Sequence, residues 1–381
     1  MNYFKNKENN LMKVLHVCID YTKLYKNLME KEIDQGVEVK VFHYTTRRQK
    51  NKEISDKYVY FYNCSIRLLR TPLFFKTRIN FVANKFIKLY KDSHDFNLIH
   101  AHMCFLDGHI AYKAYKKWGI PYIIAVRNTD INSWHYWNMP WNTRQGYRIL
   151  KDAKRVVFLS KAYKTELIER IPVDMREDLN RKSLIIPNGI DEFWHTHSKK
   201  ISKKAPEDTI RILTVGTINS NKNHIAVIEA IELLIEKGYK VDYTIVGNIQ
   251  NENIAEKLRE KKYVKLSQFC SQDKLINIYE ESDIFVLASI HETFGLVYPE
   301  AMTQGLPVIY SRGQGFDQQF QEGEVGRSVD SHKPEEIYEA IIKVLNDYEG
   351  ISKRCIEASR IFDWKIISKK YHDIYKEIIK T

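Results

Sequence analysis

Short runs of aliphatic and β-branched residues alternate with longer stretches of helical periodicity along the whole chain. In the first half, the runs bounded by charged or turn-forming residues are predicted to be strands: Met12–Ile19, Val37–His43, Asn97–His100, Pro121–Val126, Arg155–Leu159 and Ser183–Pro187. Several of these runs are apolar at consecutive positions, which is typical of strands that helices cover on both faces. The alternation predicts a mostly parallel sheet whose strands are connected by helices.

The same alternation restarts in the second half of the chain. Its predicted strands are Arg211–Val215, Val241–Val246, Val264–Ser267, Asp283–Ala288 and Pro307–Tyr310. Between the first two lies a predicted helix, His224–Lys237, whose apolar residues recur at helical spacing and which ends before Gly238. No period of roughly 20 to 50 residues recurs, so the sequence excludes a solenoid.

A change of composition separates the two halves. Pro187-Asn188-Gly189 is a turn-forming tripeptide, and a polar, lysine-rich stretch without periodicity follows it. The predicted organisation is an N-terminal Rossmann-like domain in residues 1–190, a linker in residues 191–209, a second Rossmann-like domain in residues 210–362, and a C-terminal helix in residues 363–381. This helix is expected to cross back to the N-terminal domain. The predicted fold class is therefore α/β, with two doubly wound domains.

The composition is that of an ordinary globular protein. Hydrophobic residues make up 44% of the 381 positions, which excludes wholesale disorder. No apolar run is long enough to span a membrane, and residues 1–11 lack the apolar segment of a secretory signal, so we expect a cytoplasmic protein. The five cysteines are scattered and form no C-x-x-C pair, which argues against a disulfide framework and a thiolate zinc site.

The net charge of +12 is the one unusual bulk property. It favours an anionic partner and does not choose among nucleic acid, anionic lipid and phosphorylated small molecules. A nucleic-acid-binding protein is the alternative from the class of binding proteins. The sequence disfavours it, because it contains no reading helix, zinc finger or aromatic sheet motif.

The stretch Ser289–Asp317 combines several features of a ligand site. Glu292 follows a buried predicted strand, and ligands of open α/β sheets bind at the carboxyl ends of strands. Gly295 lets the backbone approach a ligand, and Pro299 suits the first turn of a helix, whose free N–H groups favour a phosphate. Glu292 and Glu300 could accept hydrogen bonds from vicinal hydroxyls. The alternative is that both are surface acids that offset the helix dipole.

Five sequence blocks in order carry a family resemblance. HETFGLVYPEAMTQGLPVI, with its E-x7-E spacing, resembles the signature of retaining GT-B glycosyltransferases, in particular glycosyltransferase family 4. The other four blocks are IHAHMCFLDG, IIPNGID, VGTINSNKNHIAVIEAI and the terminal FDW with its helix. The resemblance is strong from about residue 185 to residue 330 and looser before that. It implies an interdomain cleft between the two domains, a nucleotide-sugar donor, and a hexosyltransferase that retains anomeric configuration.

Site residues follow from the resemblance, position by position. It implies a catalytic set of Glu292, His102 and Lys222. It implies a donor-binding set that overlaps with the first: Gly216, Thr217, Lys222, Glu292, Phe294, Gly295, Leu296 and Glu300. In these roles Lys222 neutralises the donor diphosphate, Glu300 holds the ribose hydroxyls and Glu292 holds the transferred sugar. Backbone amides of residues 294–296 reach the sugar and phosphate oxygens, Gly216 forms the tight turn beside the diphosphate, and His102 faces the sugar from the opposite domain.

The sequence departs from the family pattern in two places. Thr217 stands where the family usually has an arginine, so one diphosphate cation is lost unless Arg127 or Arg312 replaces it. The first loop, IDYTKLYKN, contains no glycine, which leaves the acceptor side less defined. Arg127 and Asp130, at the end of a predicted strand, are candidates for the acceptor side of the cleft. The alternative is a loop of ordinary turn residues.

The sequence contains no Asp-x-Asp motif, the usual carboxylate pair that holds a divalent ion in glycosyltransferases of the other large fold. With Lys222 supplying positive charge, we predict no required metal and no other cofactor. We expect the acceptor to be a saccharide or lipid-linked acceptor of bacterial surface polysaccharide or glycolipid synthesis. A nucleotide-sugar epimerase of the same architecture is the second enzyme hypothesis, disfavoured by the E-x7-E block and by Lys222.

The stretch Arg67–Lys91 is rich in basic and aromatic residues and contains no acid. One interpretation is contact with an anionic membrane surface, since each basic residue near such a surface contributes about 1 kcal/mol. This would place the protein peripherally on the inner face of the cell membrane. The alternative is an ordinary amphipathic helix that packs its aromatic residues inward.

Overall fold

The computed structural model describes residues 11–19, 21–45, 56–63, 74–92 and 94–380. The chain divides into two compact units. The first unit comprises residues 1–159, 163–187 and 364–381, and the second comprises residues 160–162 and 188–363. Each unit contains its own sheet, so the predicted α/β fold class is confirmed.

The first unit is built on a parallel sheet, in which the described strands follow the order β3-β2-β1-β4-β5-β6-β7. These strands are β1 (Lys13–Cys18), β2 (Glu38–Thr45), β3 (Val59–Asn63), β4 (Leu98–Ala101), β5 (Tyr122–Val126), β6 (Arg155–Phe158) and β7 (Ser183–Ile185). The helices between them are α1 (Lys23–Asp34), α2 (Phe75–Leu89), α3 (Asp107–Trp118), α4 (Asn128–Asn132), α5 (Trp134–Trp137), α6 (Pro140–Asp152), α7 (Lys161–Arg170) and α8 (Val173–Lys182).

The second unit is built on another parallel sheet, of order β10-β9-β8-β11-β12-β13. Its strands are β8 (Thr209–Val215), β9 (Lys240–Val246), β10 (Val264–Ser267), β11 (Ile284–Leu287), β12 (Val308–Ser311) and β13 (Gly326–Val329). Its helices are α9 (Glu192–Thr196), α10 (His224–Glu236), α11 (Glu252–Arg259), α12 (Gln272–Glu281), α13 (Val297–Thr303), α14 (Pro334–Leu345) and α15 (Tyr348–Ala358). Strands β8 and β11 are neighbours, so their carboxyl ends meet at one edge.

Helices cover both faces of the first sheet, which explains why its strands read as continuous apolar runs. On β1, Leu15 and Val17 belong to the core that contains residues of α2, α3 and α6. Val14 and Cys18 point to the opposite core, which contains residues of α1. Because successive strand residues point to opposite faces, His16 lies on the same face as Val14 and Cys18.

The C-terminal helix α16 (Trp364–Lys380) belongs to the first unit. Its apolar stripe, which includes Ile367 and Tyr371, is buried in the same core as residues of α1. Nε2 of Gln35 also donates a hydrogen bond to Oγ of Ser368, at 2.6 Å. The helix therefore closes one face of the first sheet.

The predicted strands are confirmed with end shifts of a residue or two, but strands β3 and β13 were not predicted. The residues of β3 are half-buried or exposed, and β13 contains a glycine and two polar residues. Neither strand therefore shows the continuous apolar run by which the others were recognised.

Residues 191–209, predicted as a linker, form part of the second unit. Asp191 caps helix α9 by accepting a hydrogen bond from the amide of Phe193, at 3.0 Å. Trp194 is fully buried and its ring meets that of Tyr279 edge-on, with the centroids 5.4 Å apart. Further along, the amide of Lys203 donates to Oγ of Ser352, at 2.8 Å. These contacts attach the segment to the second unit, which its lysine-rich composition did not indicate.

The stretch Arg67–Lys91 lies partly outside the described residues. Of this stretch, the structure describes residues 74–91. Helix α2 buries one face, formed by Phe75, Ile79, Val82, Ala83 and Phe86. Phe74 and Phe81 remain exposed. In the described part of the chain, no helix has the length and apolar character needed to cross a bilayer.

We predict that Trp194→Ala lowers the free energy of unfolding of the second unit by about 3–5 kcal/mol, the usual cost of truncating a buried large aromatic. The measurement is urea denaturation followed by circular dichroism, with Phe269→Ala as control because Phe269 is exposed. Equal stability of the two variants would contradict the anchoring of residues 191–209.

Candidate functional site

The best-defined polar cluster of the second unit lies at the carboxyl ends of β8 and β11. Lys222 ends a short 3₁₀ turn, Ser220–Lys222, in the loop that follows β8. The turn is fixed by Asn219, whose Oδ1 accepts a hydrogen bond from the amide of Lys222, at 3.0 Å. Glu292 lies in the loop that follows β11. The parallel topology therefore brings together two residues that are far apart in sequence.

Lys222 and Glu292 form an ion pair in which Nζ lies 2.6 Å from Oε2. The two side chains are only 20% and 11% exposed, so solvent screens the pair less than it would a surface pair. The carboxylate also accepts hydrogen bonds from Oγ of Ser289, at 3.3 Å, and from the amide of Thr293, at 3.1 Å. Both charges are thus held in place at the sheet edge.

Asn221 ties the two loops together, a role that the sequence analysis missed. Its backbone carbonyl accepts from the amide of Ile290 at 2.8 Å, and its Oδ1 accepts from the amide of His291 at 3.0 Å. Its Nδ2 donates to the carbonyl of His291, at 2.9 Å. The sequence does place an asparagine next to Lys222, and asparagine side chains commonly form hydrogen bonds with backbone groups in loops. This was the signal that could have indicated the role of Asn221.

Gly216 and Thr217 line the start of the loop that follows β8. A Cβ added at Gly216 would touch the aliphatic stem of Lys222, with Cε at 3.4 Å. The hydroxyl of Thr217 accepts a hydrogen bond from Nδ2 of Asn219, at 3.1 Å, so it braces the loop. Gly247, which no sequence pattern indicated, has the stricter requirement for a glycine. A Cβ there would lie 1.9 Å from the carbonyl oxygen of Gly216.

The segment Phe294–Leu296 is held from both sides. Gly295 has a φ of 76°, and a Cβ there would lie 2.3 Å from the ring of Tyr298. Across the loop, a Cβ at Gly315 would lie 1.8 Å from the carbonyl oxygen of Thr293. Phe294 is buried against the ring of Phe362, with centroids 5.8 Å apart. The backbone therefore has little freedom here.

Glu300 lies in the first turn of α13, as predicted, but its carboxyl is not part of the Lys222–Glu292 pair. It packs beside the side chains of Trp194 and Tyr279, although the residue as a whole is partly exposed. Burial, and secondly the negative charge of Asp191, raise the pKa of Glu300 to about 8. The carboxyl is therefore mostly protonated at neutral pH, a consequence of packing that no sequence pattern indicated.

In the first unit, His102 lies just beyond β4 and is fully buried. Its Nε2 is 3.0 Å from Nδ1 of His16, whose Nε2 lies 2.9 Å from the Glu32 carboxylate. The hydroxyl of Tyr375 donates to the same carboxylate at 2.8 Å and lies 2.6 Å from Nδ1 of His100. A chain of polar contacts thus runs from α16 through α1 to His102.

Burial, and secondly the nearby His100, hold the pKa of His102 well below its usual range, so the ring is neutral. A His16 nitrogen so close to a carboxylate carries a hydrogen, which leaves its Nδ1 to accept from Nε2 of His102. The lone pair of His102 is then at Nδ1, which has no hydrogen-bond partner within the described chain. The sequence predicted His102 but not the residues that orient it.

The prediction that Asp130 lies on the acceptor side needs correction. Its fully buried carboxylate accepts hydrogen bonds from the amides of Cys104, Phe105 and Arg127, at 3.0, 3.1 and 2.9 Å. Burial raises the pKa of this group to about 6. Because all three bonds come from the backbone, Asp130 braces the loops after β4 and β5. Arg127, also buried, donates from Nε to the carbonyl of His102, at 3.2 Å.

The ligand atoms of His16, His100 and His102 lie within 4.8 Å of one another, a spacing that a metal ion could bridge. Both nitrogens of His16 already face polar partners, namely His102 and Glu32. The cluster is therefore organised as a hydrogen-bonded network. The prediction that the protein requires no metal stays a prediction.

Two family models match successive parts of the chain. The model of glycosyl transferases group 1 matches residues 196–362, and the model of glycosyltransferase family 4 matches residues 24–192. A D-inositol 3-phosphate glycosyltransferase of Corynebacterium glutamicum is 25% identical over 221 residues, which are 53% of this chain. The chain spans about half the length of that relative, 53%.

Solved structures share the fold. A glycosyltransferase from Rickettsia africae superimposes with a TM-score of 0.69 at 19% identity, covering 98% of this chain and 100% of that one. Anabaena HepE, solved in complex with UDP, gives a TM-score of 0.69 at 17% identity, covering 95% of this chain and 99% of that one. At such identities the likeness establishes the GT-B type of fold alone.

We predict that Glu300→Gln removes a pH dependence of stability. A carboxyl whose pKa rises from 4.5 to about 8 on folding binds its proton more tightly in the folded state. Its cost to stability is therefore absent well below pH 4.5 and grows as the pH rises to 8. In urea denaturation, the free energy of unfolding of the wild type should fall relative to Glu300→Gln by about 2–4 kcal/mol between pH 5 and pH 8. Parallel pH profiles would contradict the burial of this carboxyl.

Proposed function

Because the chain belongs to glycosyltransferase family 4, we propose that it transfers a hexosyl group from a nucleotide-sugar donor to an acceptor hydroxyl, with retention of anomeric configuration. The observation that carries this proposal is the Lys222–Glu292 pair at the carboxyl ends of β8 and β11. It places an ammonium and a carboxylate, both largely sheltered from solvent, at the edge where parallel α/β sheets bind their ligands.

The pair matches the two chemically different parts of a nucleotide sugar. The diphosphate is anionic and suits the ammonium of Lys222, while the neighbouring sugar carries hydroxyls that donate to the carboxylate of Glu292. When the donor binds, the ammonium and the carboxylate can each exchange part of their mutual contact for a contact with the ligand. Neither charge is then left buried without a partner. An unpaired buried charge would cost several kcal/mol.

In the proposed reaction, Lys222 stabilises the negative charge that develops on the diphosphate as the glycosidic bond breaks. The acceptor hydroxyl attacks from the face on which the diphosphate departs and passes its proton to the departing phosphate oxygen. We assign no carboxylate nucleophile. Glu292 orients the sugar and Glu300 binds the ribose hydroxyls. In the first unit, the neutral His102 is a further proposed catalytic residue, with its lone pair at Nδ1. Lys222 supplies the positive charge, so we propose that catalysis requires no metal.

A nucleotide ligand is consistent with the fold comparison, because HepE, which shares the fold, was solved with UDP. The proposed acceptor is a saccharide or lipid-linked acceptor of bacterial surface polysaccharide or glycolipid synthesis.

We also propose a peripheral location on the cytoplasmic face of the membrane. On helix α2, the exposed Phe81 lies on the same side as the exposed Lys88, and Phe74 and Lys76 are exposed at its start. Aromatic rings beside lysines suit the boundary between acyl chains and anionic headgroups. The inward-packed face of α2 is that of an ordinary amphipathic helix, so this proposal rests on the exposed face alone.

The donor proposal is tested with a thermal-shift panel of nucleoside diphosphates and nucleotide sugars. At a concentration 100 times its Kd, the correct donor should stabilise the protein by roughly 2.7 kcal/mol. Lys222→Ala should weaken donor binding at least about tenfold, because it removes a charge-assisted contact with the diphosphate. The control is Lys262→Ala, an exposed lysine of the same unit. Unchanged affinity in Lys222→Ala would exclude the assigned site.

Glu292→Gln should have different effects on the affinity for the nucleoside diphosphate and on the affinity that the sugar adds. The neutral amide no longer competes for the ammonium of Lys222, so we expect the free nucleoside diphosphate to bind as tightly as to the wild type or tighter. The additional affinity that the sugar provides should fall, because an amide is a weaker acceptor than a carboxylate. The measurement is the ratio of the two affinities by titration calorimetry. Equal losses for both ligands would contradict the proposed division of roles.

The second enzyme hypothesis, a nucleotide-sugar epimerase, predicts turnover without an acceptor. Incubation of the bound donor alone, followed by analysis of the sugar, distinguishes the two reactions. An epimerised sugar formed without acceptor would favour the epimerase, whereas transfer that depends on an added acceptor favours the transferase.

A further inference from the structure

The first unit contains a cavity of about 310 Å³ between helices α2, α3 and α6, separate from the His102 network. A volume near 300 Å³ is at the lower end of the range for small-molecule sites. The segment just before α3 packs closely on α6 because α6 has a glycine: a Cβ at Gly146 would lie 2.7 Å from the ring of Phe105. That buried ring forms part of the cavity wall.

The charge around the cavity is of one sign. Four basic side chains line it, Lys76 from α2, Lys113 from α3, and Arg144 and Arg148 from α6, and no acidic side chain does. Within the described ranges, none of the four forms a salt bridge. Lys113 donates a hydrogen bond to Oδ1 of Asn84 at 3.1 Å, which positions it without neutralising it. The cavity therefore concentrates positive charge that the described protein does not balance.

Two buried polar atoms at the cavity also have no partner in the described chain. His109 is 5% exposed and its Nε2 lies 3.0 Å from Oδ1 of Asn80, but its Nδ1 is unpaired. Nε2 of Gln145 is likewise buried and unpaired. Both residues line the cavity, but these two atoms are enclosed by protein, so the case for a ligand rests on the unpaired charges and the apolar wall.

The remaining wall is apolar. Phe75, Ile79 and Phe105 contribute apolar surface, and Trp141 stands at the cavity with 45% of its surface exposed. An inorganic anion would leave this surface unused, and an apolar ligand would leave the four cations unused. The complementary ligand has a phosphate joined to an apolar group.

We propose that this cavity binds the phosphate-bearing head of an anionic amphiphile. The phosphate lies among Lys76, Lys113, Arg144 and Arg148, and the adjoining apolar chain lies against Phe75 and Trp141. The inference goes beyond the transfer reaction, because it concerns a site within the first unit and does not require that the second unit bind a nucleotide.

The test is titration calorimetry of the full chain with short-chain lipids below their micelle concentration. Dihexanoyl phosphatidic acid should bind, while dihexanoyl phosphatidylcholine and inorganic phosphate should each bind at least about tenfold more weakly, since each lacks one half of the complementarity. Inorganic phosphate binding as tightly as the lipid would overturn the proposal, as would equal binding of the zwitterionic lipid or no binding at all.

The variant Lys113→Gln/Arg148→Gln removes one cation from α3 and one from α6 at the cavity. It should weaken phosphatidic acid binding at least about tenfold through the loss of charge-assisted hydrogen bonds. The matched control, Lys117→Gln/Lys151→Gln, removes the same charge from exposed positions of the same two helices outside the cavity. An equal loss in the control would show nonspecific attraction and overturn the site.

The same two variants should keep the thermal stabilisation by the nucleotide-sugar donor. This comparison separates the two proposals: a cavity that binds the lipid in a protein that binds no nucleotide would sustain this inference and end the donor assignment. A donor response without lipid binding would do the reverse.

Discussion

The contact on which the candidate site depends is the ion pair between Lys222 and Glu292. It joins the loops that follow two neighbouring parallel strands, so it exists only because β8 lies beside β11 in the second sheet. Removing two charges from water is costly, and the pair is tolerable because Ser289 and Thr293 provide further hydrogen bonds to the carboxylate. A ligand with an anionic and a hydroxylated part can replace each half of this arrangement.

The loops that carry the pair are shaped by close backbone contacts. Gly247 lets the first loop pass over the end of β9, and Gly315 lets the backbone at Thr293 pass within contact distance. Asn221 then ties one loop to the other. The positions of the two charges are therefore set by residues that have no chemical role of their own. A side chain at Gly247 or Gly315 would collide with the backbone of the neighbouring loop and displace it.

Much of the fold was predictable because buried parallel strands are continuous apolar runs separated by amphipathic helices. Strands β3 and β13 escaped prediction because they lack such a run, and the fold of residues 191–209 escaped because four lysines follow the buried Trp194. The resemblance gave Lys222 and Glu292, but not that they pair. It also gave Glu300, but not that packing beside Trp194 and Tyr279 keeps its carboxyl largely protonated. Sequence patterns report residue type and spacing, whereas these properties arise from contacts between distant segments.

In the first unit, polar contacts also join segments that are far apart in sequence. Tyr375, near the C-terminus, shares the Glu32 carboxylate with His16, and His16 meets His102. Helix α16, which packs on the sheet through an apolar stripe, thus takes part in the network that includes His102. The tautomer of His102 follows from the contact of His16 with Glu32 on α1, and Tyr375 of α16 adds a hydrogen bond to the other oxygen of that carboxylate. The C-terminal helix therefore contributes a side chain to this buried polar network as well as apolar packing to the first sheet.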